Sequence, residues 1–263
     1  MSDQWNKEEK LIAKGIGLHN REILSILMKN STNKPNSRID ATQGTASMRA
    51  VINHNVDALE VLYRGKEDIT PSFIDRSGFH SLVSLVCETD VRKIFKNVFV
   101  RILKDAHDIQ IDPPYNPGNN QAGVCHWACM YLDLEIAELM FKTPNIQINR
   151  LDRENKTGAA KLIEKKDKDV VPMLEFLVNH GFDVNTRKDA SCPTLLESFL
   201  TAITKNYEAI KFLVANKADI NAIHSRQTDK KGQKMRLIDF VKEKGDMKVK
   251  KIFEEVLGIK MTK

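Results

Sequence analysis

Glu208-Ala209-Ile210-Lys211-Phe212-Leu213-Val214-Ala215-Asn216-Lys217-Ala218-Asp219-Ile220-Asn221 reads as one amphipathic helix running into a short loop. Its apolar residues carry the three- and four-residue spacing of a helix that buries one side. Thirty-six residues earlier the same phrase stands as Met173-Leu174-Glu175-Phe176-Leu177-Val178-Asn179-His180-Gly181-Phe182-Asp183-Val184-Asn185. The closing pair, a β-branched aliphatic followed by Asp or Asn, occurs six times: Ile39-Asp40, Ile74-Asp75, Ile111-Asp112, Ile148-Asn149, Val184-Asn185 and Ile220-Asn221. The spacings are 35, 37, 37, 36 and 36 residues. A near-constant period in this range predicts a stacked array of small supersecondary units. Two short helices per unit cannot cover their own apolar faces, so each unit must borrow half of its core from its neighbours.

The two quoted stretches resemble the outer helix and loop of an ankyrin repeat, whose pattern runs E-I-V-x-L-L-L-x-x-G-A-D-V-N. The opening half of that pattern, D-x-x-G-x-T-P-L-H-x-A-A, is present in pieces. Asp152-Arg153-Glu154-Asn155-Lys156-Thr157 keeps the turn with Asn for Gly, and Gly44-Thr45 keeps the Gly and Thr. Cys125-His126-Trp127-Ala128-Cys129 keeps the His and first Ala, and Leu237 to Asp246 resembles a terminal repeat. The resemblance covers about residues 8 to 257 and is strongest in the last three repeats. It implies an all-α fold, an ankyrin-repeat solenoid of about seven helix-turn-helix repeats with hairpin or loop fingers. The whole chain, 1–263, would be one domain with repeats at 8–38, 39–73, 74–110, 111–147, 148–183, 184–219 and 220–257. Gly181 and Asn155 are the residues expected in left-handed backbone at a helix end and a tight turn.

Composition agrees with thin aliphatic layers: 41% of residues are hydrophobic and only 6% aromatic. At about 36 residues per unit the length leaves no room for a separate catalytic domain. No stretch approaches the roughly 20 apolar residues of a membrane span, and Met1 to Lys14 is too charged for a secretory signal, so a cytoplasmic location is expected. Cys87, Cys125, Cys129 and Cys192 lack the dense spacing of a disulfide framework. Cys125 and Cys129 flank His126 one helical turn apart, but zinc requires four placed ligands, and small buried thiols in an inner helix explain them as core. No metal and no cofactor are expected.

The net charge is +6, and Arg226 to Lys263 holds twelve Lys/Arg against six Asp/Glu, the whole excess. The loop His224 to Arg236 is long and basic for a finger, which offers a contact for an anionic surface. A polar outer face on a terminal repeat explains the same residues. Nucleic-acid binding is disfavoured, because no aromatics interleave with these lysines.

Asp112-Pro113-Pro114-Tyr115 resembles the D-P-P-Y signature of adenine-N6 DNA methyltransferases, in which the Tyr stacks on a flipped base. It lacks the Gly-rich loop after a strand that would hold S-adenosylmethionine, and Asp112 also belongs to the repeat ladder. The expected function is therefore a non-catalytic adaptor or scaffold, a monomer, that binds a protein partner. An effector delivered by an intracellular microbe onto a host protein in the host cytosol is a variant of that reading. A methyltransferase and an anionic-surface binder remain as alternatives. By resemblance the partner would sit on the concave face. Met130, Tyr131 and Lys165, with Asn53 and Thr204, fall on inner-helix positions, and Arg76, Tyr115, Arg153, Lys156, Lys188 and Arg226 on fingers. Tyr131, Tyr115 and Arg153 form the expected hot spot, since Tyr and Arg combine contact area with directed hydrogen bonds.

Overall fold

The computed structural model describes residues 7–17, 22–23, 25–26, 46–64, 97–98, 100–101, 104, 122–143, 145–165, 168–228 and 231–261. The chain forms two compact units, Met1–Trp127 with Asp133–Ile146, and Ala128–Leu132 with Gln147–Lys263. Arg76, Tyr115, the Asp112-Pro113-Pro114-Tyr115 motif and the first three β-branched/Asp pairs lie outside the described residues.

In the first unit, α1 (Lys7–Gly17) packs on α2 (Ala46–Ile52), and α2 on α3 (Val56–Arg64). Buried Ile12, Ile16, Ala50, Val51, Leu59 and Leu62 form the layer between them. The turn from α2 to α3 is made by His54, whose φ of 54° is left-handed, followed by buried Asn55. Asn55 starts α3 by accepting from Ala58 N–H at 2.8 Å, and its Nδ2 donates to the Ile16 carbonyl at 2.7 Å. One side chain thus caps a helix and ties it to α1, satisfying groups that burial would otherwise leave orphaned. The same local device recurs where α4 (Val124–Tyr131) turns into α5 (Leu134–Phe141). Leu132 is left-handed at φ 55°, and Asp133 caps α5 by accepting from Ile136 N–H.

In the second unit three successive pairs follow one another, their outer helices starting 36 and then 40 residues apart. They are the 3-10 helix Gly158–Glu164 with α6 (Val171–Asn179), α7 (Leu195–Thr201) with α8 (Tyr207–Ala215), and α9 (Leu237–Lys244) with α10 (Met247–Leu257). The outer helices α6, α8 and α10 pack in chain order, and the 3-10 helix packs on α7. Each outer helix buries one stripe: Met173, Leu174 and Leu177; then Ala209, Ile210, Leu213 and Val214; then Val249, Ile252 and Phe253. Asn206 and Asp246 cap α8 and α10 through Ala209 N–H and Val249 N–H. An antiparallel hairpin, β1 (Ile223–Thr228) with β2 (Lys234–Arg236), precedes α9.

The β-branched/Asn pairs are the joints of this array. Asn149 Oδ1 accepts from Asp183 N–H at 2.9 Å and its Nδ2 donates to the Gly181 carbonyl at 3.3 Å. One period on, Asn185 Oδ1 accepts from Asp219 N–H at 2.7 Å and its Nδ2 donates to the Lys217 carbonyl at 3.2 Å. Val184 is buried and Ile148 half-buried, while the Asn beside each reads the backbone of the next loop. Gly181 and Lys217, the two loop residues so read, are both left-handed, at φ 91° and 63°. Asn155 is left-handed at 59° in the turn where Asp152 accepts from the N–H groups of Glu154 and Lys156.

Candidate functional site

Between the 3-10 helix, α7 and strand β1 lies an open cavity of about 540 Å³ whose lining includes Lys156, Glu164, Glu197, Thr201, His224 and Arg226. Its floor is set by an unusual use of Glu197. Thr194 caps α7 by accepting from Glu197 N–H at 3.1 Å, and the sequence Thr194-Leu195-Leu196-Glu197 has the spacing of a capping box. The Glu197 side chain instead reaches the finger of the following repeat. Its Oε1 accepts the N–H of Ser225 at 3.0 Å and the Ser225 hydroxyl, and lies 3.0 Å from His224 Nδ1. The other oxygen, Oε2, has no hydrogen-bond partner, although the side chain is only 2% exposed.

His224 is equally buried, and its ring meets Phe240 edge-on at 4.6 Å. Nδ1 accepts from Arg226 N–H at 3.2 Å and lies 3.0 Å from Glu197 Oε1. The nitrogen thus stands between a backbone donor and a carboxylate oxygen, and one protonation state cannot serve both neighbours. Nε2 is buried with no hydrogen-bond partner. Burial pushes the imidazole below its ordinary pKa; Glu197 opposes this, and Lys244 and Arg226 add to it.

Glu197, His224 and Ser225 are residue types of a nucleophilic triad, but their order is wrong for one. The Ser225 hydroxyl gives its hydrogen bond to the carboxylate, and His224 Nε2 accepts none, so the imidazole has no path to take the serine proton. In α4, Cys125 and Cys129 are fully buried, and His126 Nδ1 accepts from Gly123 N–H at 3.1 Å, closing the start of its own helix. Among the described residues no three His, Cys, Asp or Glu side chains converge as a metal site requires.

Of the residues singled out from sequence, Lys156 and Arg226 share the cavity. Lys156 pairs with Glu154 at 2.6 Å, which raises the Lys156 pKa and lowers that of Glu154 through the hydrogen bond between them. Arg153 and Lys188 are exposed on turns, Met130 is half-buried in α4, and Tyr131 is the last residue of α4. Three positions expected on inner helices lie beyond them: Asn53 in the turn after α2, Lys165 just past the 3-10 helix, and Thr204 in the turn after α7. The three inner helices concerned are only seven residues long, and α7 stops where Ala202 turns extended at ψ 142°, so a family pattern laid on the chain overruns them. Glu197 and His224 were not singled out as site residues. The available signal was a Glu at the helix position that the family pattern gives to His. Ile203, 98% exposed beside the cavity-lining Ala202, was also passed over.

No protein-family model matches the sequence, and sequence comparison finds no match among curated proteins. Solved structures do match. The ankyrin repeat domain of Bcl-3, a member of the IkappaB protein family, is 16% identical with a TM-score of 0.56, covering 88% of this chain and 97% of its own. The human ASB11 ankyrin repeat domain is 14% identical with a TM-score of 0.56, covering 90% and 95%. A chain from the complex of the Bd0816 predatory endopeptidase of Bdellovibrio bacteriovorus with immunity protein Bd3460 is 16% identical with a TM-score of 0.50, covering 72% and 90%. The loop-reading asparagines, the short paired helices and these structural likenesses together identify the fold of this chain as that of the ankyrin-repeat proteins.

Proposed function

We propose that the chain is a non-catalytic protein-interaction module, acting in a cytosol, that takes its partner on the side carrying the finger and the inner helices of its second unit. The observation that carries this reading is the cavity between the 3-10 helix, α7 and β1. It is open and is walled by charged and polar side chains together with Ala160, Ile163, Pro193 and Ala202, with exposed Ile203 next to it in the chain. Polar groups around an apolar contact are the makings of a protein interface. The triad-like residues in its wall have no nucleophile–base pair, which speaks against turnover there. The structural neighbours add a general expectation, since one of them is a chain of a complex between two proteins.

Affinity capture tests the reading, with the wild-type chain beside a variant carrying Arg153→Ala, Lys188→Ala and Ile203→Asp. All three residues are exposed, so the variant should keep its fold. A protein held by the wild type and lost by a variant of unchanged Tm supports the face assignment and names the partner. Capture indifferent to the three changes refutes it. A partner found only in a host lysate would make the chain an effector. A rise in Tm with S-adenosylmethionine would overturn the non-catalytic reading, because a ligand specific to the native state must stabilise it.

A further inference from the structure

We infer that the three fingers of the second unit, with the cavity they border, form a docking surface for an acidic segment of the partner protein. Its carboxylates meet Lys188 and Arg226, and its apolar side chains enter the cavity. This rests on the reading of the chain as a protein-binding module and adds the chemistry of the segment bound.

The cavity gathers the fingers in one place. Its lining takes Lys156 from the turn 151–157, Pro193 from the end of the loop 186–193, and Ser225, Arg226 and Gln227 from β1. With the hairpin taken over 223–236, these three stretches hold nine Lys/Arg against four Asp/Glu. The acids are also less available than the bases. Asp152 is buried, accepts from the N–H groups of Glu154 and Lys156, and meets Lys161 at 3.3 Å. Glu154 is paired with Lys156, and Asp189 accepts from the N–H and the hydroxyl of Ser191. Asp229 lies outside the described residues. Lys188, Arg226 and Lys234, by contrast, are exposed and make no ion pair among the described residues. In the cavity lining the exposed carboxylate, Glu164, acts on Lys156, which leaves the Arg226 charge unmatched in the wall. Like charges held on neighbouring fingers make a positive field that an incoming carboxylate relieves. Between the fingers, Ala160, Ile163 and Ala202 are half-buried and Pro193 exposed, so an apolar side chain of the same segment has surface to cover. A flat bilayer cannot enter such a recess. None of the three stretches carries a Phe, Tyr or Trp on which a nucleobase would stack. A polypeptide with carboxylates among aliphatic side chains suits both halves of the surface.

The test selects binders of the full chain from a displayed random-peptide library and titrates them as blocked synthetic peptides. The recovered sequences should be rich in Asp and Glu set among aliphatic residues, and their affinity should fall as salt is raised. Joint reversal by Lys156→Glu, Lys188→Glu and Arg226→Glu should weaken them by at least about tenfold, three attractions having become repulsions. Lys211→Glu, Lys251→Glu and Lys260→Glu, exposed positions away from the fingers, change the net charge equally and should leave binding within about twofold. Peptides remade with Lys for each acid should bind the finger variant better than the wild type, a recovery that a folding defect cannot produce. The inference is overturned by peptides no richer in acids than the library, by equal losses in the two reversal variants, or by exchanged charges that recover nothing. Tighter binding of a single-stranded oligonucleotide or of phosphatidylserine vesicles than of any selected peptide would assign the surface to another class and overturn it as well. A natural partner captured through this face without an acidic segment removes this inference alone. Acidic peptides that bind the fingers while no cellular protein is captured remove the wider reading.

Discussion

Replacing Asn185 by Ala removes the joint between two repeats without touching the apolar core. Two hydrogen bonds disappear, Oδ1 with Asp219 N–H at 2.7 Å and Nδ2 with the Lys217 carbonyl at 3.2 Å. Both are exposed, so water can replace the lost partner, and each is worth the net rather than the gross energy of a hydrogen bond, about 0.5–1 kcal/mol. The expected loss is about 1–2 kcal/mol, a substantial part of a stability on the order of 5–15 kcal/mol. Asn149→Ala should cost at least as much, because Asn149 makes the equivalent pair with Asp183 and Gly181 and also accepts from the Thr186 hydroxyl at 3.4 Å. Asn221→Ala should cost under about 0.5 kcal/mol. Among the described residues its Oδ1 accepts from the exposed Arg236 guanidinium at 3.4 Å and from no loop N–H. Asn185→Asp should fall between, keeping an acceptor for Asp219 N–H but setting a carboxylate against the Lys217 carbonyl. Urea unfolding gives the global loss, and exchange of the Asp219 amide gives the local one, which matters because repeat arrays can lose all-or-none behaviour. Equal losses at Asn185 and Asn221, or an unchanged Asp219 exchange rate in Asn185→Ala, would refute the idea that these residues join repeats.

Lys217→Gly should raise stability by up to about 1 kcal/mol, since Lys217 holds φ 63° where its equivalent one period earlier is Gly181; a lower urea midpoint would contradict this. Gly245→Ala should destabilise by about 1–3 kcal/mol. A Cβ there would come within 2.5 Å of the Val241 carbonyl oxygen, and backbone must move to admit it, so an unchanged Tm would show that α9 ends differently. Stability should fall as the pH drops below about 6.5. The native state holds the His224 pKa down, so the unfolded chain binds the extra proton more readily, and the stability present above the unfolded value is lost toward and through the folded one. His224→Gln should flatten that slope between pH 7 and pH 5 in urea midpoints, and an unaltered slope would assign it to other groups.

The array was legible because its joints are written in single letters at fixed intervals. Ile148-Asn149 and Val184-Asn185 can be found by counting, and the structure gives each Asn the same partners one period apart. Gly181 and Asn155 were legible for a related reason, being the residues that enter left-handed backbone at least cost. The cavity was much less so. Lys156 and Arg226 were found through their place in the finger pattern, but Glu197 looks like the third residue of a helix cap in Thr194-Leu195-Leu196-Glu197. Only the fold reveals that the Thr194 cap bond forms while the Glu197 carboxylate leaves for Ser225, 28 residues on. Helix ends were misplaced where a period alone had to set them, as at Thr204, because a repeat length does not say where a seven-residue inner helix stops.

Asn149 and Asn185 both grip peptide groups in the loops they read, an N–H and a carbonyl that every residue except proline can present, and Asn149 adds one side-chain contact, accepting from the Thr186 hydroxyl at 3.4 Å. A connector built chiefly on peptide groups depends little on which side chains lie on the other half of the joint. A gene encoding such a chain can lose, gain or exchange a 36-residue unit by recombination between repeats, and the new junction forms with the old bonds. Selection can then work on Glu197 and its neighbours in one unit without renegotiating the contacts that hold that unit in line.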